Sequence, residues 1–211
     1  MLDFKNYRSI LCLHGDLPQK DFFNLALPII AADGALNYLA KINIKPTIVI
    51  GDLDGADPIL LKQQPSLYLP NQDTSDFQKC LSYLNDHGLL PTIITGINGG
   101  YLDHILNNIN IFLTTDSILY APPIIGFCLR PESNQQFSCE LDTKMSLFGI
   151  SNAVVSTKGL RWELHSQTLT FPGHNSCFNR TLKNEIEIIV HEGLILVLCY
   201  LNKMNDAASA I

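Results

Sequence analysis

Positive charge is in short supply in this chain of 211 residues: 14 Lys and Arg stand against 20 Asp and Glu, a formal net charge of −6. Such a chain lacks the basic footprint that nucleic-acid binding needs. It also repels polyanions, so any polyphosphate ligand would need cations to offset that repulsion. Charge of either sign is sparse, at 16% against 46% hydrophobic residues, the balance of a soluble globular chain with a substantial core. No run is long enough to span a membrane; the longest apolar stretch, Leu194 to Leu201, falls far short. The first residues, Met1 to Arg8, lack a signal-peptide pattern. None of the six cysteines forms a Cys-x-x-Cys pair, and none of the six histidines has zinc-ligand spacing, which argues against a zinc site. Cys12, Cys80 and Cys199 sit in apolar patterns, as buried thiols do, which suits a reduced, cytoplasmic setting; the even count leaves a disulfide formally open. Neither a Walker A loop nor a Gly-x-Gly-x-x-Gly fingerprint is present, and there is no internal repeat or low-complexity segment.

What the chain does have is acid at the ends of apolar strands. Pro46 to Gly55 runs through Ile48-Val49-Ile50 into Gly51-Asp52-Leu53-Asp54-Gly55, the pattern of a buried parallel strand ending in a tight turn with two carboxylates. Ligands of open α/β sheets lie beyond the carboxyl ends of the strands, and paired acids there suit Mg²⁺. Asx-turns and helix capping explain the same two residues equally well. The motif recurs. Strands at 9–13 and 28–31 lead into His14-Gly15-Asp16 and Ala32-Asp33-Gly34, with helices predicted over Asp21 to Leu27 and after Gly34. A helix over Ala56 to Gln64 and a brief strand at 67–69 follow. Ser75 and Gln78 have capping-box spacing, and Phe77, Cys80, Leu81 and Leu84 mark one face of the helix they open, with Asp76 in its first turn and Gly88 at its end. A strand at 91–95 runs into Gly99-Gly100-Tyr101-Leu102-Asp103-His104, where adjacent glycines let backbone N–H groups face an anion.

This alternation predicts a parallel sheet over 1–130. After a polar connection around Arg130 to Gln136, short apolar runs with turns at Gly149, Gly159, Gly173 and Gly193 predict a small all-β domain over 136–211. Singly, each acid can be a cap. Together, Asp33, Asp52, Asp54, Asp76 and Asp103 crowd one sheet edge, and clustered carboxylates cost stability unless cations compensate.

The order of these motifs resembles the thiamine pyrophosphokinase family, through Ala32-Asp33-Gly34-Ala35-Leu36-Asn37, Gly51-Asp52-Leu53-Asp54, Gln72-Asp73-Thr74-Ser75-Asp76-Phe77 and Gly99-Gly100-Tyr101-Leu102-Asp103-His104. Ser146-Leu147-Phe148-Gly149, Thr157-Lys158-Gly159-Leu160-Arg161-Trp162 and Ser176-Cys177-Phe178-Asn179 extend the likeness through the β-rich part. The resemblance implies a Rossmann-like α/β domain with helices on both faces, followed by a β-sandwich. It implies pyrophosphate transfer from ATP to thiamine by Mg²⁺-assisted attack on the β-phosphorus. Asp52, Asp54 and Asp76 would hold metal and phosphate, with Asp103 in support and Asp76 the candidate base. Asp33, Gly34, Asn37, Gly99 and Gly100 would seat the nucleotide, and Gln72, Trp162, Ser176 and Asn179 the thiamine. A homodimer sharing each active site between subunits is implied as well. The chain departs from the family in having Tyr101 where Arg is common, which removes a phosphate clamp, and Phe178 where a second serine is common. Two other readings fit: pyrophosphoryl transfer to a pterin alcohol, and a thiamine- or nucleotide-binding module without activity.

Overall fold

The computed structural model describes residues 4–131 and 135–201; part of the polar connection and the end of the predicted β domain lie outside them. The described residues form two compact units, 4–121 and 122–201.

The first unit holds six strands, β1 (Ser9–Cys12), β2 (Ile29–Ala32), β3 (Ile48–Gly51), β4 (Ser66–Tyr68), β5 (Thr92–Thr95) and β6 (Ile118–Ala121). Its helices are α1 (Ala35–Lys41), α2 (Pro58–Leu61), α3 (Asp76–Asp86) and α4 (Leu102–Phe112). The strands are all parallel, in the order β6-β5-β1-β2-β3-β4. Four-residue runs such as Ser9-Ile10-Leu11-Cys12 and Thr92-Ile93-Ile94-Thr95 are buried throughout, because a parallel sheet is covered on both faces. Strand order reverses between β1 and β5, and right-handed crossovers then place α1 and α2 on one face and α3 and α4 on the other. The helices do pair in that way, α1 against α2 and α3 against α4.

Two predicted helices are shorter than the sequence suggests. The segment after β1 makes only a 3-10 helix, Lys20–Leu25, and the helix after β3 is cut to Pro58–Leu61, capped by Asp57 with Pro58 in the first turn. α3 opens as predicted: Ser75 and Gln78 form a reciprocal capping box, and Phe77, Cys80 and Leu84 are buried.

The second unit is built on strands β7 (Ile124–Leu129), β8 (Gln135–Ser138), β9 (Lys144–Lys158), β10 (Gln167–Phe171), β11 (Ser176–Arg180) and β12 (Glu185–Tyr200). β9 and β12 run antiparallel along their whole length, 15 and 16 residues. One half of this pair takes β11 and β7 as outer neighbours, the other half β10 and β8. Bulges at Ser151 in β9 and around Gly193 in β12 separate the halves. Side chains from both halves, among them Met145, Leu147, Val155, Ile188 and Val197, meet in one core, the arrangement of a sandwich. Gly149 is not a turn: it lies within β9, where a Cβ would stand 2.2 Å from the carbonyl oxygen of Leu169. β7, which the sequence places before the domain boundary, pairs with β12 and sends Leu129 into this core. All six cysteines are free thiols. Among the described residues no helix is long and apolar enough to cross a membrane.

Candidate active site

Asp33 follows β2 directly and adopts a left-handed backbone (φ 40°). It does not cap α1, whose N-cap is Gly34 without any side-chain bond. Its carboxylate instead crosses to the loop after β3, where Oδ2 accepts the Gly55 N–H at 3.1 Å. Asn37 clamps that loop from α1: Nδ2 donates to the Gly55 carbonyl at 2.8 Å, and Oδ1 accepts the Asp57 N–H at 2.8 Å. Asn37 therefore shapes the loop with both ends of its amide.

Asp52, one residue past β3, accepts from Gln72 Nε2 at 2.7 Å. Asp76 is the first residue of α3, and the Ser75–Gln78 box satisfies the local N–H groups, leaving the Asp76 carboxylate free of capping duty. It turns toward Gly51, where an added Cβ would come within 3.0 Å of both Asp76 Oδ1 and Asp33 Cβ. Asp33, Asp52 and Asp76 each offer a carboxylate oxygen within 4.8 Å of the others. Asp33 is 8% exposed and its Oδ1 has no hydrogen-bond partner. Three carboxylates brought together, one of them with a buried, unpartnered oxygen, fit a hard cation that takes oxygen ligands.

The electrostatics follow. Burial pushes the Asp33 carboxyl above its ordinary range; the Gly34 and Gly55 N–H groups oppose the shift and the charges on Asp76 and Asp52 add to it. The Gln72 amide holds Asp52 below the usual carboxylate range. Sequence reasoning missed Lys79, whose Nζ lies 2.9 Å from Asp76 Oδ1 with only 6% of its side chain exposed. The one signal was its position three residues beyond Asp76 on a helix.

Of the remaining acids, Asp54 lies beside Asp52, its N–H and carboxyl helping to hold the Asp52 carboxyl low, while Asp103 stands apart. Leu53 takes a left-handed turn (φ 63°) between Asp52 and Asp54, and Asp54 is exposed. Asp103 is exposed in the first turn of α4, its Oδ1 accepting the His104 N–H at 2.9 Å. Gly99 and Gly100 belong to the loop after β5, which lies against the loop after β1: Asp16 donates its N–H to the Asn98 carbonyl at 2.7 Å. Tyr101, in the family's arginine position, is 81% exposed.

In the β unit, Trp162, Ser176 and Asn179 are joined by one amide. Asn179, 1% exposed, accepts the Trp162 N–H at 3.1 Å and donates to the Trp162 carbonyl at 2.7 Å and to Ser176 Oγ at 3.1 Å. This fixes the backbone of Trp162 while its indole stays 57% exposed, with the Arg161 guanidinium 5.4 Å from the ring centre. The ring already receives a cation on its face. Phe178 is exposed and left-handed (φ 54°), its N–H donated to Ser146 Oγ at 3.0 Å.

Fold and acid cluster together define the class: a doubly wound α/β domain with carboxylates gathered at its strand ends, joined to a β-sandwich domain. Family models narrow this further. "Thiamin pyrophosphokinase, catalytic domain" matches residues 20–119, and "Thiamin pyrophosphokinase, vitamin B1 binding domain" matches residues 134–195. The chain belongs to the thiamin pyrophosphokinase family. It is 24% identical over 182 residues to "Thiamine pyrophosphokinase 1" of Oryza sativa, covering 77% of this chain and 69% of that protein. It is 26% identical over 168 residues to "Thiamine pyrophosphokinase 1" of Arabidopsis thaliana, covering 68% and 61%. The yeast thiamin pyrophosphokinase structure superposes with a TM-score of 0.79 at 17% identity, covering 95% of this chain and 89% of that one. The enzyme from Bacillus subtilis gives 0.76 at 16%, covering 92% and 98%. At these identities the structures establish a shared fold.

Proposed function

We propose that this protein transfers a pyrophosphoryl group from ATP to the hydroxyethyl oxygen of thiamine, giving thiamine diphosphate and AMP. In this reading the thiamine oxygen bonds to the β-phosphorus, the bond from that phosphorus to the oxygen bridging the α-phosphate breaks, AMP leaves with the bridging oxygen, and the hydroxyl proton is released. The observation that carries the reading is the convergence of Asp33, Asp52 and Asp76, with one oxygen of Asp33 buried and unpartnered. Mg²⁺ bound there supplies the positive charge that lets a net-acidic protein hold a triphosphate. Asp33, Asp52 and Asp76 are assigned to hold it, with Asp54 beside Asp52. Asp54 and Asp103 are left at the rim in support.

The protein's own groups position. Gln72 holds Asp52, the Gly55 N–H holds Asp33, and Asn37 fixes the loop that carries Gly55. Gly34, in the turn after β2, and Gly99 and Gly100, late in the loop between β5 and α4, are assigned to the nucleotide. Transfer of this kind depends chiefly on alignment and charge neutralisation. Trp162 is assigned as the platform for the flat, cationic thiamine, with Asn179 and Ser176 setting its backbone; its ring already accepts a guanidinium. The match to a vitamin B1 binding domain over 134–195 supports that placement. The reading includes a homodimer in which each site is shared between subunits, and a reducing cytoplasmic setting suits the free thiols.

The test is to incubate pure protein with ATP, Mg²⁺ and thiamine, or with a hydroxymethylpterin in its place, and identify products by mass. Thiamine diphosphate and AMP from thiamine alone are expected. Thiamine binding without AMP release, or turnover of the pterin alone, overturns the assignment.

A further inference from the structure

A lysine buried near the start of a helix is an unusual placement. Lys79 is the fourth residue of α3, close to the end whose dipole disfavours cations, and its side chain is almost wholly removed from water. Lysine is rarely buried unless paired. Its pairing here is with Asp76 Oδ1 at 2.9 Å, and its charge also helps keep Asp52 ionised. One ammonium thus serves the group of carboxylates assigned to a cation.

Charge balance gives this a meaning. The ammonium offsets one negative charge of Asp33, Asp52 and Asp76, beside which Asp54 adds a further carboxyl, so the group stays net negative and attracts a divalent cation. Without the ammonium the carboxylates would repel one another more strongly, most of all at the buried Asp33. We propose that Lys79 is a positioning residue for the cation site: it holds Asp76 beside Asp33 and Asp52 and lowers the negative charge that the cluster carries. This rests on reading Asp33, Asp52 and Asp76 as a cation site.

Two measurements on nucleotide-free protein test it: titration with Mn²⁺ followed by the EPR signal of the free ion, and melting in EDTA against excess Mg²⁺. Lys79→Met is expected to melt lower than wild type in EDTA and to recover in Mg²⁺ by a larger rise than wild type shows. It should also bind Mn²⁺ about tenfold more tightly, because the added negative charge faces the ion directly. Lys79→Arg, which keeps the charge, should stay within about threefold of wild type, since Coulomb attraction changes little. A lysine that only fills space would lower the melting point equally in EDTA and in Mg²⁺ and leave Mn²⁺ affinity unchanged; that result overturns the proposal. Should Lys79→Met fail to fold, the double variant Asp76→Asn/Lys79→Met removes both charges: recovery of a cooperative melt upholds the proposal, and failure to recover overturns it. Absence of Mn²⁺ binding by wild type removes the cation site and the proposal together. Failure of pyrophosphoryl transfer appears separately, as missing AMP in the assay with thiamine.

Discussion

Gly55 donates its N–H to Asp33 Oδ2 at 3.1 Å, and a Cβ on Gly55 would stand 2.3 Å from that same oxygen. The loop after β3 therefore grips the carboxylate after β2 at a spacing that admits no side chain. Gly55→Ala is expected to push Asp33 off its partner, weakening Mn²⁺ binding by about tenfold or more. The overpacking should cost about 1–3 kcal/mol, so the melt stays cooperative. EPR titration and a thermal melt check both parts. Unchanged Mn²⁺ affinity would show that Asp33 does not hold the ion.

Asp33 itself should trade stability for function. Burial, with the charges of Asp76 and Asp52, raises its carboxyl above the unfolded value. A raised carboxyl favours the folded state below the unfolded pKa and loses that contribution as pH climbs through the folded one. At neutral pH an ionised Asp33 thus opposes folding. Asp33→Asn keeps an acceptor for the Gly55 N–H and turns a neutral amide toward the other two acids. Its melting point in EDTA at pH 7 should exceed that of wild type, the gap closing toward pH 4, while turnover is lost. A lower melting point at pH 7 would contradict this account.

The acids themselves should fall into two groups by placement. Asp52→Asn and Asp76→Asn are expected to cut turnover by about 100-fold or more, the upper end of what losing a supporting group costs a metal site. Asp54→Asn and Asp103→Asn, both exposed, should cost less than about tenfold by the same measure. Steady-state rates at saturating Mg²⁺ decide it. Equal losses at Asp52 and Asp54 would move the site out to the tip of the turn.

In the β unit, Asn179→Ala removes both bonds to the Trp162 backbone and leaves buried groups unsatisfied, at about 1–3 kcal/mol. A drop of several degrees in melting point should accompany a rise in KM for thiamine with little change in KM for ATP. A loss of stability with both constants intact would confine Asn179 to a structural role.

How far these groups could be read from the chain differs residue by residue. Asp33, Asp52 and Asp76 were visible because strand–helix alternation places whatever follows a strand on one rim. The difference between Asp52 and Asp54 was not, since two acids flanking one residue in a turn give no sign of which is the more exposed; in the fold Asp52 is half-buried and Asp54 exposed. Lys79 was hidden because the apolar face at 77, 80, 81 and 84 marks position 79 as solvated, whereas in the fold, with α3 packed on β2 and β3, its side chain is buried. β9 and β12 read as several short strands because bulges at Ser151 and around Gly193 interrupt their alternation, and Gly149 read as a turn because the close approach of Leu169 is invisible along the chain.

The shared strands of the β unit carry one more implication. Since β9 and β12 each belong to both halves of the sandwich, neither half can come apart while the other stays whole. Amide protons from Met145 to Ser156 should therefore exchange with solvent in a single concerted opening, and the segment that fixes Trp162 inherits the rigidity of the entire unit.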